Sequence, residues 1–116
     1  MHEPWPLVKK RRTLALRARI VGELRRFFAA RDYLEIETPC LIPAPAPEFH
    51  IDTLACEGWF LQPSPELCMK RLLAAGYDRI FQICRCFRKG ERGARHLPEF
   101  TMLEWYRREA DYRDLM

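Results

Sequence analysis

The chain has 116 residues, of which 48% are hydrophobic and 31% charged, with a formal net charge of +4. That length holds one domain with one modest core, and the composition is that of an ordinary globular protein rather than a disordered one. No apolar run reaches the ~20 residues of a bilayer-spanning helix, and the mild positive charge suits anionic partners without selecting one.

Residues 1–12, MHEPWPLVKKRR, hold two prolines and the cluster Lys9, Lys10, Arg11 and Arg12. They predict a flexible or strapped-down basic leader, solvated rather than bound to nucleic acid. No apolar segment follows the charges, so it is no signal peptide. From 13 to 31 the pattern is helical: Leu16, Ile20, Leu24, Phe27 and Phe28 recur at three- and four-residue steps, with Arg17, Arg19, Glu23, Arg25 and Arg26 largely opposite. Thr13 can supply the N-cap hydroxyl. Residues 33–38 alternate like a strand that Pro39 stops, so a helix feeds an edge strand.

Residues 41–50, LIPAPAPEFH, predict an irregular connector. Residues 53–62 read as a hairpin with Glu57 and Gly58 at the turn. A second helix follows, with Ser64 as N-cap, Pro65 at the first helical position and Gly76 at the stop. Leu67, Leu72 and Leu73 are its expected buried contacts. Glu66 lies in the first turn, where a negative charge interacts favourably with the helix dipole.

Residues 79–106 contain two strand-like runs around a charged loop with Gly and Pro, the pattern of a long-tipped hairpin. Strand side chains alternate faces. Gln82, Cys84, Cys86 and Arg88 therefore share one face with Phe100, Met102, Glu104 and Tyr106 across the hairpin. Phe81, Ile83, Arg85 and Phe87 share the reverse with Thr101, Leu103 and Trp105. The first face reads as the lining of a polar pocket and the mostly apolar reverse as the side that packs on helices. Beyond it, Asp111 and Asp114 suggest a helix start. The five cysteines, Cys40, Cys56, Cys68, Cys84 and Cys86, are an odd number without framework spacing. That pattern predicts free thiols in a reducing cytoplasm. They lack a second pair at zinc spacing and read as small buried hydrophobes.

Phe87-Arg88 and His96-Leu97-Pro98-Glu99-Phe100 resemble motif 2 of class II aminoacyl-tRNA synthetases, which runs Phe-Arg-x-Glu, a variable loop, then His/Arg-x-x-x-Phe. The run from Pro98 to Tyr106, PEFTMLEWY, narrows the resemblance to the lysine-specific branch. Its Glu-Trp-Tyr ending is similar to the short lysyl-tRNA-synthetase relatives that lysylate elongation factor P. Residues from about 16 to 39 resemble motif 1, which builds the family's dimer interface, so the resemblance implies a homodimer. Ser64-Pro65-Glu66 resembles the stretch whose glutamate binds the substrate's α-amino group. The implied fold is α+β, an antiparallel sheet flanked by helices, with 13–116 as the N-terminal part of the catalytic domain. Nothing resembles the Gly-rich motif 3, so the chain reads as a piece truncated before it and inactive alone.

The resemblance implies a function: ATP-dependent activation of lysine or β-lysine as an adenylate, then transfer to a lysine side chain of elongation factor P. Arg88 is the catalytic residue, bridging α-phosphate and carboxylate. Lys89, Glu91, His96 and Phe100 complete the ATP site, with Phe100 under the adenine. Ser64, Pro65, Glu66, Glu104 and Tyr106 form the substrate site. ATP and Mg2+ are the implied cofactors, the metal's ligands lying outside the chain. The residue types suit these tasks. A guanidinium can bond a carboxylate and a phosphate oxygen together, an aromatic face stacks a base, and carboxylates accept from an ammonium. Two positions depart from the family. Gly90 stands where it has Glu, with Glu91 next door, and Leu97 stands where relatives have Asn, which implies a weaker hold on ATP. A start almost at motif 1 leaves no room for an anticodon-binding barrel and favours the protein acceptor. Lysyl-tRNA synthetase activity on the lysine tRNA and a non-catalytic paralogue are the alternatives.

Overall fold

The structure, a computed structural model, describes residues 5–45, 53–90 and 97–108. They fall in two compact units, Met1–Tyr33 and Leu34–Met116. Among the described residues no helix is long and apolar enough to cross a membrane.

The first unit is helical from near its start. Helix α1 (Trp5–Lys9) replaces part of the expected irregular leader, and Pro6 in its first turn is a position where a missing N–H is harmless. Helix α2 (Arg11–Ala29) begins two residues before the expected Thr13 cap, and no side chain caps it. Its start is held by backbone instead: Lys10 N–H donates to Leu7 O at 3.1 Å and Leu14 N–H to Lys10 O at 2.9 Å. The apolar stripe forms as expected. Phe28 is buried and packs edge-on against Phe27 and Tyr33, with centroids 5.1 and 5.2 Å apart. Leu16, Ile20 and Phe27 remain 55%, 50% and 47% exposed. The helix ends by passing through Asp32 in the left-handed region, φ 63°, so that Tyr33 N–H returns to Phe28 O.

The second unit carries two three-stranded sheets. One runs β1 (Leu34–Glu35), β5 (Arg79–Phe87), β6 (Glu99–Arg107); the other runs β2 (Leu41–Ile42), β4 (Trp59–Leu61), β3 (Leu54–Cys56). The β2–β4, β3–β4 and β5–β6 pairs are antiparallel, whereas β1 lies parallel to β5, so the first sheet is mixed. The expected six-residue strand at 33–38 keeps only β1. Past Ile36, whose N–H donates to Phe81 O, the ladder is continued by a side chain. Gln82, 1% exposed, accepts from Thr38 N–H at 2.9 Å and donates to Thr38 Oγ1 at 3.0 Å. Pro39 has no N–H with which to extend the strand itself.

Residues 41–50 are not wholly irregular, as the connector reading expected. Leu41 and Ile42 pair with Leu61 and Phe60 before the first proline, and 46–50 lie outside the described residues. The Glu57-Gly58 turn forms as expected, with φ of 53° and 79°. That is the two-residue hairpin geometry whose twist matches the flanking strands.

Helix α3 (Glu66–Ala74) starts one residue later than expected, with Pro65 as cap. Ser64 Oγ still accepts the Glu66 N–H at 3.2 Å. The stop at Gly76, φ 109°, holds. Leu67, however, is 37% exposed while Met69 is fully buried. Two residues turn the helix by about 200°, so the two lie on opposite sides.

The long hairpin pairs residue for residue from Arg79↔Arg107 to Phe87↔Glu99. Gln82↔Glu104, Cys84↔Met102 and Cys86↔Phe100 therefore point to one face, as the alternation required. The reverse face is less covered than expected: Phe81 is 1% exposed, but Trp105 is 53% exposed. Helix α3 packs on β6 with its Glu66 and Lys70 felt at Glu104 and Glu66 felt at Tyr106, so it borders the polar face rather than the apolar one. Only Cys86 is buried like a core hydrophobe. Cys68 and Cys84 are half-buried, and Cys40 and Cys56 are exposed. The expected helix start at Asp111 and Asp114 lies outside the described residues.

Candidate functional site

One face of the β5–β6 hairpin gathers the chemistry. At its tip end, Arg88 follows the last residue of β5, and its N–H donates to Pro98 O at 2.9 Å. That bond carries the pairing one residue past the ladder and turns the side chain toward Phe100. The guanidinium carbon lies 5.3 Å from the ring centroid, within the reach of a cation–π contact. Arg88 and Phe100 are both half-buried, while Lys89 and Gly90 beside them are exposed. Gly90 has φ 79° and an added Cβ would meet nothing within 4 Å. The departure from the family's Glu thus coincides with a left-handed turn that side-chain-bearing residues rarely adopt. Leu97 is 67% exposed. Glu91 and His96 lie outside the described residues.

The opposite end is acidic. Tyr106 Oη donates to Glu104 Oε1 at 3.1 Å. Glu104 Oε2 is buried without a hydrogen-bond partner among the described residues. Burial raises the Glu104 pKa above the ordinary carboxylate range, the charge of Glu66 adds to this, and the Tyr106 hydroxyl and Lys70 oppose it. Burial and then the Glu104 charge push the Tyr106 phenol upward too. Glu66 Oε1 accepts from Lys70 Nζ at 2.6 Å. Ser64 and the fully buried Pro65 form the start of α3 that presents Glu66.

Phe100 and Glu104 stand four positions apart on one strand, about 13 Å along it. A cation beside an aromatic ring is thus separated from a carboxylate cluster by the length of a small amine-bearing acyl group. A buried, unpaired carboxylate oxygen is an energetic liability of about 1–3 kcal/mol, and an ammonium donor is its natural complement. Among the described residues no group of three His, Cys, Asp or Glu side chains can hold a metal ion.

Sequence reasoning missed Lys70 as the partner of Glu66, although the i,i+4 spacing on α3 signals it. It also missed Gln62. That residue is 1% exposed, donates to Arg85 O at 3.0 Å and lies 3.8 Å from Cys40 Sγ. No local pattern marks such a long-range bond.

The chain matches the family model described as tRNA synthetases class II (D, K and N) over residues 8–116. Curated relatives include the elongation factor P (R)-β-lysine ligases of three bacteria. That of Photobacterium profundum is 40% identical over all of this chain and 39% of its own length. That of Mannheimia succiniciproducens is 47% identical over 94% of this chain and 37% of its own. That of Salmonella paratyphi B is 47% identical over 89% of this chain and 35% of its own. The chain therefore spans less than two-fifths of the length of these relatives.

Proposed function

The chain belongs to the class II tRNA synthetases of the D, K and N group, and from that premise we propose that it forms part of a ligase. In this reading the ligase activates lysine or β-lysine with ATP and passes the acyl group to a lysine amine of elongation factor P. The observation that carries the reading is the gathering of Arg88, Phe100, Glu104 and Tyr106 on one hairpin face, with Glu66 presented beside them from α3.

Activation joins two anions. The amino-acid carboxylate attacks the α-phosphorus of ATP and pyrophosphate leaves. Arg88 bonds both oxygens and stabilises the charge that grows on the phosphorus, a role worth about 3–4 kcal/mol in comparable sites. Phe100 stacks the adenine, worth roughly 1–3 kcal/mol, and Lys89, Glu91 and His96 serve the nucleotide. Glu104 Oε2 and Glu66 accept from the substrate ammonium groups, and Tyr106 orients the Glu104 carboxylate. No protein nucleophile is needed, since binding and alignment supply the rate. The half-exposed stripe Leu16, Ile20 and Phe27 on α2 supports a homodimer through motif 1.

The acceptor is tested directly. The whole ligase of which the chain is proposed to form part is supplied with ATP and radiolabelled lysine or β-lysine, and with either elongation factor P or the lysine tRNA. Label on elongation factor P supports the reading, and label on tRNA alone replaces it with lysyl-tRNA synthesis. Label on neither, with no ATP-dependent protection against unfolding, leaves a paralogue without catalysis, which the turn at Gly90 favours.

A further inference from the structure

The function proposed above makes no use of the thiols on the same hairpin face. Cys84 and Cys86 lie on one side of β5, opposite Met102 and Phe100, and their sulfurs are 3.9 Å apart. Both are free. We propose that this pair is a two-sulfur binding site for a single soft, thiophilic centre, such as trivalent arsenic or a d10 cation.

The geometry separates this from a disulfide. Residues two apart on a strand have Cα atoms about 6.6–6.8 Å apart, at the outer limit of what a disulfide spans, so oxidation would distort β5. One bridging atom with bonds of about 2.3 Å instead holds two sulfurs up to about 4.6 Å apart, and about 3.8 Å apart at a tetrahedral angle. The observed separation fits the bridged arrangement with the strand left in place.

The surroundings agree. Cys84 is half-buried and open to a reagent, while Cys86 is fully buried beside it. The two thiols are within hydrogen-bonding distance of each other, so both sulfurs face the same point on the strand. Cys40 is a third thiol nearby, whose pKa is raised by burial and then by Cys84 and Glu37. No three-ligand metal cluster exists among the described residues, so the site is a dithiol pair. Soft thiolates select the thiophilic ions over hard ones.

Phenylarsine oxide tests the site by simple condensation. Two S–H bonds and the As–O double bond break, two As–S bonds form and one water leaves, with no change of oxidation state. Native mass spectrometry of the protein is expected to show one arsenical adduct that survives a monothiol wash and is released by a dithiol. Cadmium is expected to compete for the same site. C84S and C86A each are expected to abolish the wash-resistant adduct, whereas C40S, C56S and C68S retain it. No resistant adduct on the wild-type protein overturns the proposal, whatever the variants do. So does an adduct that survives C86A and disappears in C40S, which would place the pair at Cys40 and Cys84.

Discussion

Replacing Glu104 with Gln separates the two demands placed on that carboxylate. Its pKa is raised in the folded chain, by burial first and by Glu66 second, against the Tyr106 hydrogen bond and Lys70. A raised carboxyl takes up a proton on folding, so its contribution to stability is highest below the ordinary carboxylate range and falls as pH rises through the folded value. Glu104→Gln keeps an acceptor for Tyr106 and removes the buried charge. The amide nitrogen that replaces Oε2 is still without a partner, so any gain comes from the removed charge alone. Because the residue is half-buried, solvent screening reduces the expected gain to ~1 kcal/mol at pH 8, and to nothing near pH 4. Urea unfolding of wild type and variant across this range measures it. The same substitution removes a charge-assisted bond to the substrate ammonium, and amine affinity by calorimetry is expected to fall about 10- to 150-fold, from 1.5–3 kcal/mol. A variant that is less stable at pH 8, with unchanged amine affinity, would refute the reasoning.

Other outcomes follow from the same geometry. Phe100→Leu keeps the apolar volume but loses the stacking face, and ATP affinity is expected to weaken by roughly 1–3 kcal/mol in equilibrium binding, with amine affinity unchanged. Gln82→Leu leaves the Thr38 N–H without its buried acceptor, and a loss of about 1–3 kcal/mol in unfolding free energy is expected. Gly90→Glu restores the family's residue type but places a side chain at φ 79°; stability is expected to drop by about 1–2 kcal/mol, and ATP affinity is expected not to rise unless the turn reforms.

Where local rules decide, the sequence was readable. The sharing of faces along β5 and β6 follows from period-two alternation, and the turn at Glu57-Gly58 and the stop at Gly76 each place a glycine at positive φ. The grouping of Arg88 with Phe100, and of Glu104 with Tyr106, followed from the same alternation. Long-range decisions were not readable. The parallel β1–β5 pairing joins residues such as Leu34 and Ile80, the Gln82 bridge to Thr38 joins residues 44 positions apart, and no local pattern encodes which strand β1 meets. Met69 rather than Leu67 is buried because the side of α3 that packs is set by its partner, and both residues are apolar. The Glu66–Lys70 pair is legible in charge and i,i+4 spacing along α3. The thiol separation depends on rotamers that composition does not specify.

Amino-acid-dependent ATP–pyrophosphate exchange by the whole ligase of which the chain is proposed to form part, beside an Arg88→Ala variant of equal stability, tests the central claim most directly. The account predicts exchange that requires lysine or β-lysine and falls about 100- to 1,000-fold in the variant. Exchange that ignores these amines, or that survives the loss of Arg88, would contradict it.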